Sequence, residues 1–223
     1  MINVTAHRLI GLAAASALAL VIASCGGSAP LLDPSPADLA EPAPDRFRVA
    51  VETTAGTFQI RAVRDWSPAG VDRFHYLVRH GYYDGACFFR VVEDFVAQFG
   101  LAAEPPVSAA WADRGLPDEP VRRSNTRGRV AFARGGPESR TTQLFINLTD
   151  NPRLDSLRYN NVTGFPPIGE VVTGMDVVDR LYAGYGEAPQ QDSIRAAGNA
   201  YLQRNYPKLD CITSAQIVER PAP

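Results

Sequence analysis

Residues 87–99 read CFFRVVEDFVAQF. Aromatic and β-branched residues fill this stretch, the types that suit a pleated, half-buried surface. Its one clear polar interruption is Glu93-Asp94. The pattern predicts two short strands joined by a tight turn. Arg90 and Gln98 are isolated among these apolar side chains. On strand period alone, Arg90 reads as a residue whose stem packs and whose head reaches solvent.

Upstream, residues 47–51 and 57–63 alternate apolar and polar around Thr53-Thr54-Ala55-Gly56, which predicts a hairpin. Ser67-Pro68 reads as a helix N-cap followed by proline at the first helical position. Val71, Phe74, Leu77 and Val78 then recur at helical spacing until Gly81. His75 and His80 lie off that stripe and are expected to face solvent. Downstream, residues 100–125 are Ala/Pro-rich and acidic without a sustained period, and read as a long surface excursion. Residues 129–133, 143–148 and 168–172 are further short strands, the first two separated by the loop RGGPESR at 134–140. Met175, Val177, Val178 and Leu181 open a second amphipathic helix; residues 191–204 read as a third, and 211–218 as a closing strand. Many short strands with few helices predict a mostly β domain, a closed sheet or barrel capped by helices.

Composition sets the outer bounds. Of 223 residues, 45% are hydrophobic and 21% charged, with 22 basic against 24 acidic side chains. That describes a globular chain and excludes a collagenous, coiled-coil or disordered one. A net charge of −2 provides no basic footprint for nucleic acid. Three cysteines are too few for a scaffold built on disulfides. There is no Walker A loop, G-x-S-x-G, H-E-x-x-H, C-x-x-C or G-x-G-x-x-G. Beyond His7 only His75 and His80 remain, both on one predicted helix, so neither a metal site nor a histidine triad is expected. No cofactor is expected either.

The N-terminus is unlike the rest. Leu9 to Ala23 (LIGLAAASALALVIA) is an unbroken apolar run, short for a bilayer span, and reads as the core of a signal peptide. Ile22-Ala23-Ser24-Cys25 after it resembles the lipobox of bacterial lipoproteins. The expectation is a signal peptide at 1–24 and a lipidated Cys25 tethering the protein to a membrane. Residues 26–44 (GGSAPLLDPSPADLAEPAP) lack any period and read as an extended, solvated spacer, so that 25–45 form a tether. The globular part is expected from 46 to 186, with a C-terminal helix–strand extension at 187–223 packed on it.

A second stretch changes the reading of Arg90. Phe132-Ala133-Arg134-Gly135-Gly136-Pro137 is followed by Thr142-Gln143-Leu144-Phe145-Ile146. Together the two stretches resemble the signature segments of the cyclophilin-type peptidyl-prolyl isomerases, F-x-R-V-I…F-x-x-Q-G and M-A-N-A-G-P…S-Q-F-F-I. Arg90, Phe95, Gln98 and Gly100 fall in register with the first, and Ala133, Gly136, Pro137, Gln143 and Phe145 with the second. Leu154-Asp155 follows at the expected spacing, and the run Ile168-Gly169-Glu170-Val171-Val172-Thr173-Gly174-Met175 resembles the family's F-G-x-V…G-M turn. The resemblance implies a closed eight-stranded antiparallel barrel capped by two helices, and isomerisation of X-Pro bonds in proline-containing polypeptides. It implies Arg90 as the catalytic donor, Gln98 as its positioning partner, and a substrate pocket of Phe95, Val96, Ala133, Gln143, Phe145, Leu154 and Phe165.

Three departures from the family pattern stand out: Arg134 replaces an Asn, Arg153 stands where many members have the Trp that contacts cyclosporin, and Phe165 falls near the family's His. Weak cyclosporin sensitivity is the expectation. The reading from another class is a cyclophilin-like module that binds extended proline-containing segments without catalysis; an intact Arg90 argues against it. Cys87 and Cys211 are left after Cys25 is assigned to the lipid, and either pair or remain separate buried thiols. The protein is expected as a monomer, exported and lipid-anchored at the periplasmic face of a bacterial envelope. Gly26 after the cysteine is compatible with the outer membrane where there are two.

Overall fold

The computed structural model describes Met1 and residues 29–219. The apolar run at 9–23, Cys25 and residues 220–223 lie outside the described residues. Arg46–Thr53 (β1) and Gly56–Val63 (β2) form the predicted hairpin. Its alternation sends Phe47, Val49, Val51, Phe58 and Ile60 into the core, as a strand with one buried face requires. Arg90–Val92 (β3) and Val96–Phe99 (β4) form the second hairpin, turning through Asp94 at φ 56°. Arg129–Phe132 (β5) and Leu144–Asn147 (β6) follow, then a small separate hairpin of Arg158–Tyr159 (β7) and Val162–Thr163 (β8). Pro167–Thr173 (β9) and Ile212–Glu219 (β10) complete the strands among the described residues.

Eight of these strands make one antiparallel sheet in the order β10-β1-β2-β9-β5-β6-β4-β3. The sheet curls into a half-barrel and does not close, contrary to the expected closed barrel. β3 and β10 are its edges, and no ladder joins them. The chain ahead of β3 meets the start of β10 at a corner, where Phe88 N–H donates to the Asp210 carbonyl at 2.9 Å and Ile212 N–H to that of Ala86 at 2.8 Å. Beyond the corner β3 runs against β4 and β10 against β1. A three-residue edge strand has too few free groups to extend a ladder. Of the two arrangements open to Cys87 and Cys211, the structure has the disulfide, set at this corner.

The N-terminal part of the chain differs from the expected solvated spacer. Ala29–Leu32 (α1) and Pro36–Ala40 (α2) are short helices docked on the domain, with Leu31 and Ala43 buried. The Trp111 indole donates to the Leu31 carbonyl at 2.8 Å, and the Tyr76 hydroxyl to that of Pro30 at 2.8 Å. Single apolar anchors and prolines leave no period in a sequence, yet proline lowers the entropic cost of ordering such a segment.

Pro68–Arg79 (α3) buries Val71, Phe74, Leu77 and Val78 as its spacing predicts. Two details depart from expectation. Ser67 makes no side-chain cap bond; Glu119 instead accepts the N–H groups of Ala69 at 2.9 Å and Gly70 at 3.3 Å. That carboxylate satisfies orphan donors at the positive end of the helix. His75 is buried rather than solvent-facing, its ring edge-on to Phe47 at 4.9 Å, and residues 42–44 stand with it around one pocket. His80 is half-buried against Tyr76.

The expected surface excursion at 100–125 contains a packed helix, Pro105–Trp111 (α4), whose Trp111 is 1% exposed. A single tryptophan carries that packing, so no helical stripe announces it. Arg153–Ser156 (α5) and Met175–Asp179 (α6) are short. Gln191–Asn205 (α7) bends at Gly198, where φ is 56° and a Cβ would lie 2.2 Å from the Ala103 carbonyl oxygen. Ile194 and Leu202 of α7 pack with Cys87, Phe89 and Leu101. β10 then pairs along β1, so the last strand among the described residues is an integral member of the sheet.

Candidate active site

The β3–β4 hairpin places Arg90 directly opposite Gln98, and the β4–β6 ladder places Gln98 opposite Phe145. Three strands thus bring Arg90, Gln98 and Phe145 to one spot. An Arg90 Nη1 hydrogen is donated to Gln98 Oε1 at 3.3 Å, Gln98 Nε2 donates to Gln143 Oε1 at 2.9 Å, and Gln143 Nε2 donates to Gln191 Oε1 at 3.2 Å. The direction of this relay follows from its first member. Guanidinium has donors only, so Gln98 must turn its oxygen to Arg90 and its NH₂ to the next amide. Gln98 is buried and Arg90 half-buried, with the guanidinium carbon 5.5 Å from the centre of the Phe95 ring.

Beside this relay lies a cavity of about 390 Å³. Phe95, Val96, Ala133, Phe145, Leu154 and Phe165 line it with Arg90 and Gln98, so eight of the nine residues singled out in the sequence share one cavity. The ninth, Gln143, lines an adjoining cavity of about 550 Å³, in which Gln98 and Ala133 also take part. Val96, Ala131, Phe145 and Leu154 form a small apolar cluster of their own, and all but Ala131 line the first cavity.

Local bonding explains why Leu154 and Phe165 reach the site from outside the large sheet. Asp155 accepts the Asn125 N–H and its Nδ2, each at 2.8 Å, and Ser124 donates to the same carboxylate. Asn125 Nδ2 also donates to the Phe165 carbonyl at 2.9 Å, and Phe165 N–H to that of Leu154 at 2.9 Å. The Phe165 ring stands edge-on to Phe145 at 5.8 Å. Arg134, where the family pattern has Asn, lies over the Phe165 ring at 4.9 Å, bonded to the Gly164 carbonyl and paired with Asp118. Burial pushes the pKa of this guanidinium below its usual value, partly offset by Asp118. Arg153 also lines the cavity.

A family model for cyclophilin-type peptidyl-prolyl cis-trans isomerases matches residues 48–199. The chain belongs to this family. It is 31% identical to peptidyl-prolyl cis-trans isomerase B of Escherichia coli over 183 residues, 76% of this chain and 98% of that one. A peptidyl-prolyl cis-trans isomerase of Acinetobacter baylyi is 33% identical over 142 residues, 60% of this chain and 70% of its own. A solved cyclophilin-type isomerase of Cryptosporidium parvum superposes with a TM-score of 0.59 at 18% identity, covering 79% of this chain and 99% of its own, which establishes the shared fold. This cyclophilin is a peptidyl-prolyl cis-trans isomerase.

Sequence reasoning missed several residues of the site. Glu187 bonds Arg90, Gln191 ends the amide relay, and Leu157 and Tyr159 line the apolar cavity. Glu187 is 97 positions from Arg90 and follows no pattern, so no local signal could have found it. Tyr159 had one weak signal, an aromatic residue beside the turn residues Asn160-Asn161, both at positive φ.

Proposed function

We propose that this isomerase acts on X-Pro bonds of exported polypeptides without a covalent intermediate, Arg90 stabilising the twisted imide. Rotation about an X-Pro bond breaks amide resonance, against a barrier of about 18–20 kcal/mol for a peptide bond. In the twisted state the proline nitrogen regains a lone pair that the planar ground state lacks. A guanidinium N–H beside it binds the twisted state more tightly than the planar one, which is what lowers a barrier. The observation that carries this reading is Arg90 held by Gln98 at the wall of an apolar cavity. Phe95, Val96, Phe145, Leu154 and Phe165 take the proline ring there, and exclusion of water strengthens the Arg90 contact. Gln143 and Ala133 hold the peptide backbone. A rate gain of roughly 10⁵-fold requires about 7 kcal/mol, so positioning of the substrate shares the work with Arg90.

The test is a protease-coupled isomerisation assay on a proline-containing peptide with wild type and Arg90→Ala. Loss of one such donor is expected to lower kcat/KM by about 10²–10³-fold. Equal rates for the two proteins would refute the role of Arg90.

The apolar run at 9–23 and Cys25 support export and lipid anchoring on the periplasmic face of the envelope, the outer membrane where there are two. A disulfide between Cys87 and Cys211 supports the same oxidising compartment. The anchored enzyme works as a monomer. Cys25→Ala is expected to move the protein from the membrane fraction to the soluble one; an unchanged distribution would overturn the anchor.

A further inference from the structure

The segment after α6 reaches back to the catalytic arginine. Glu187 Oε1 accepts from Arg90 Nε at 2.6 Å and from Nη2 at 2.5 Å. Gln98 takes Nη1 on the other side. A guanidinium has five N–H donors in a rigid plane. Two of them face one carboxylate oxygen and a third faces an amide, so the plane is held from both sides while its outer N–H groups stay open.

The side from which Glu187 approaches decides what it does. Arg90 lines both the apolar cavity and an outer groove of about 420 Å³. Glu187 lines the groove and has no part in the cavity wall. The carboxylate therefore stands behind the guanidinium, and a proline in the cavity need not displace it.

The loop carrying Glu187 is braced from α7. The Tyr206 hydroxyl donates to the Ala188 carbonyl at 3.0 Å, and the Tyr201 hydroxyl accepts the Gln190 N–H at 3.2 Å. Gln191, the first residue of α7, anchors the loop to Gln143. Glu187 itself is 66% exposed on its side chain, so its ion pair adds little to stability. Its contribution is orientation.

We infer that Glu187 is a positioning residue for Arg90, fixing the guanidinium plane so that its open N–H groups meet the proline nitrogen as the imide twists. The inference rests on the catalytic role of Arg90 proposed above. A fixed donor acts in the transition state more than on ground-state binding, so its loss is read in kcat.

The experiment compares wild type, Arg90→Ala, Glu187→Ala and Glu187→Gln by isomerase kinetics, with thermal unfolding of each. Glu187→Ala is expected to lower kcat about tenfold with KM within twofold and an unchanged Tm. Glu187→Gln keeps an acceptor oxygen at the same reach and is expected to recover most of that loss. An unchanged or raised kcat in Glu187→Ala, a change confined to KM, or an equal loss in Glu187→Gln would each overturn the proposal. If Arg90→Ala retains full activity, the role of Arg90 fails first. If Arg90→Ala is impaired and Glu187→Ala is not, only the role of Glu187 fails.

Discussion

Cys87 and Cys211 are bonded to each other across the one seam of the curled sheet, 124 positions apart in the chain. Arg90 lies three residues beyond Cys87 and opens the edge strand β3. The disulfide thus pins the root of the strand that carries Arg90, where no ladder holds its outer side.

Removal of this bond should be costly. For a closed loop of this length the chain-entropy model assigns a disulfide about 4–5 kcal/mol, and removal of a native one typically costs about 2–5 kcal/mol. A Cys87→Ala/Cys211→Ala variant is expected to unfold at a clearly lower urea concentration than the oxidised wild type. Identical midpoints for wild type with and without reductant would contradict the bridge.

Gln98 sits between Arg90 and Gln143, accepting from one and donating to the other. Gln98→Leu keeps the volume but leaves both neighbours without their partner, at a stability cost of about 1–3 kcal/mol. Isomerase kcat is expected to fall at least tenfold, since the Nη1 side of the guanidinium is released. Wild-type kcat in a folded Gln98→Leu protein would show that the relay has no part in catalysis.

Trp111 holds the N-terminal segment through its bond to the Leu31 carbonyl. Trp111→Phe removes that donor, worth about 1 kcal/mol, at a residue that does not line the apolar cavity. Hydrogen exchange over residues 29–44 is expected to accelerate while kcat/KM stays within twofold of wild type. Unchanged exchange there would mean that the tryptophan does not secure the segment.

Burial, followed by the neighbouring Arg79, holds the His80 imidazole below its usual pKa of 6.5. The unfolded chain therefore takes up a proton that the folded protein resists. This contribution to stability is present above pH 6.5 and is lost as the pH falls through the folded value. His80→Gln is expected to flatten the fall of Tm between pH 7 and pH 5. Parallel Tm curves for the two proteins would show that His80 does not contribute.

Local order was legible wherever a pattern spans neighbouring residues. Alternation revealed the hairpins of β1–β2 and β3–β4, and helical spacing revealed α3. Asp94 at positive φ occupies the turn that Glu93-Asp94 announced. Most of the apolar cavity was legible too, because six of its eight expected residues fall inside two family segments and Leu154 follows at the family's spacing. Legibility ended where partners are remote. Glu119, rather than Ser67, satisfies the start of α3 from about 50 positions away. His75 is buried against Phe47 of β1, a partner that the period of its own helix does not announce.

The amino-acid sequence by itself determined the order of the eight strands of the large sheet and of α3, α6 and α7, the tight hairpin that carries Arg90 and Gln98, and the resemblance to the isomerase family. The strands and helices depend on side-chain period and turn chemistry, which act over a few residues, and the family resemblance on the residues of two motif segments. Tertiary structure alone decided that the sheet stops short of closing, that Cys87 meets Cys211, that the N-terminal segment docks on Trp111, and that Glu187 stands behind Arg90. Each of these joins groups dozens of positions apart. Such contacts are selected by the shape and polarity of surfaces that exist only after the chain has packed, so they leave no period in the sequence.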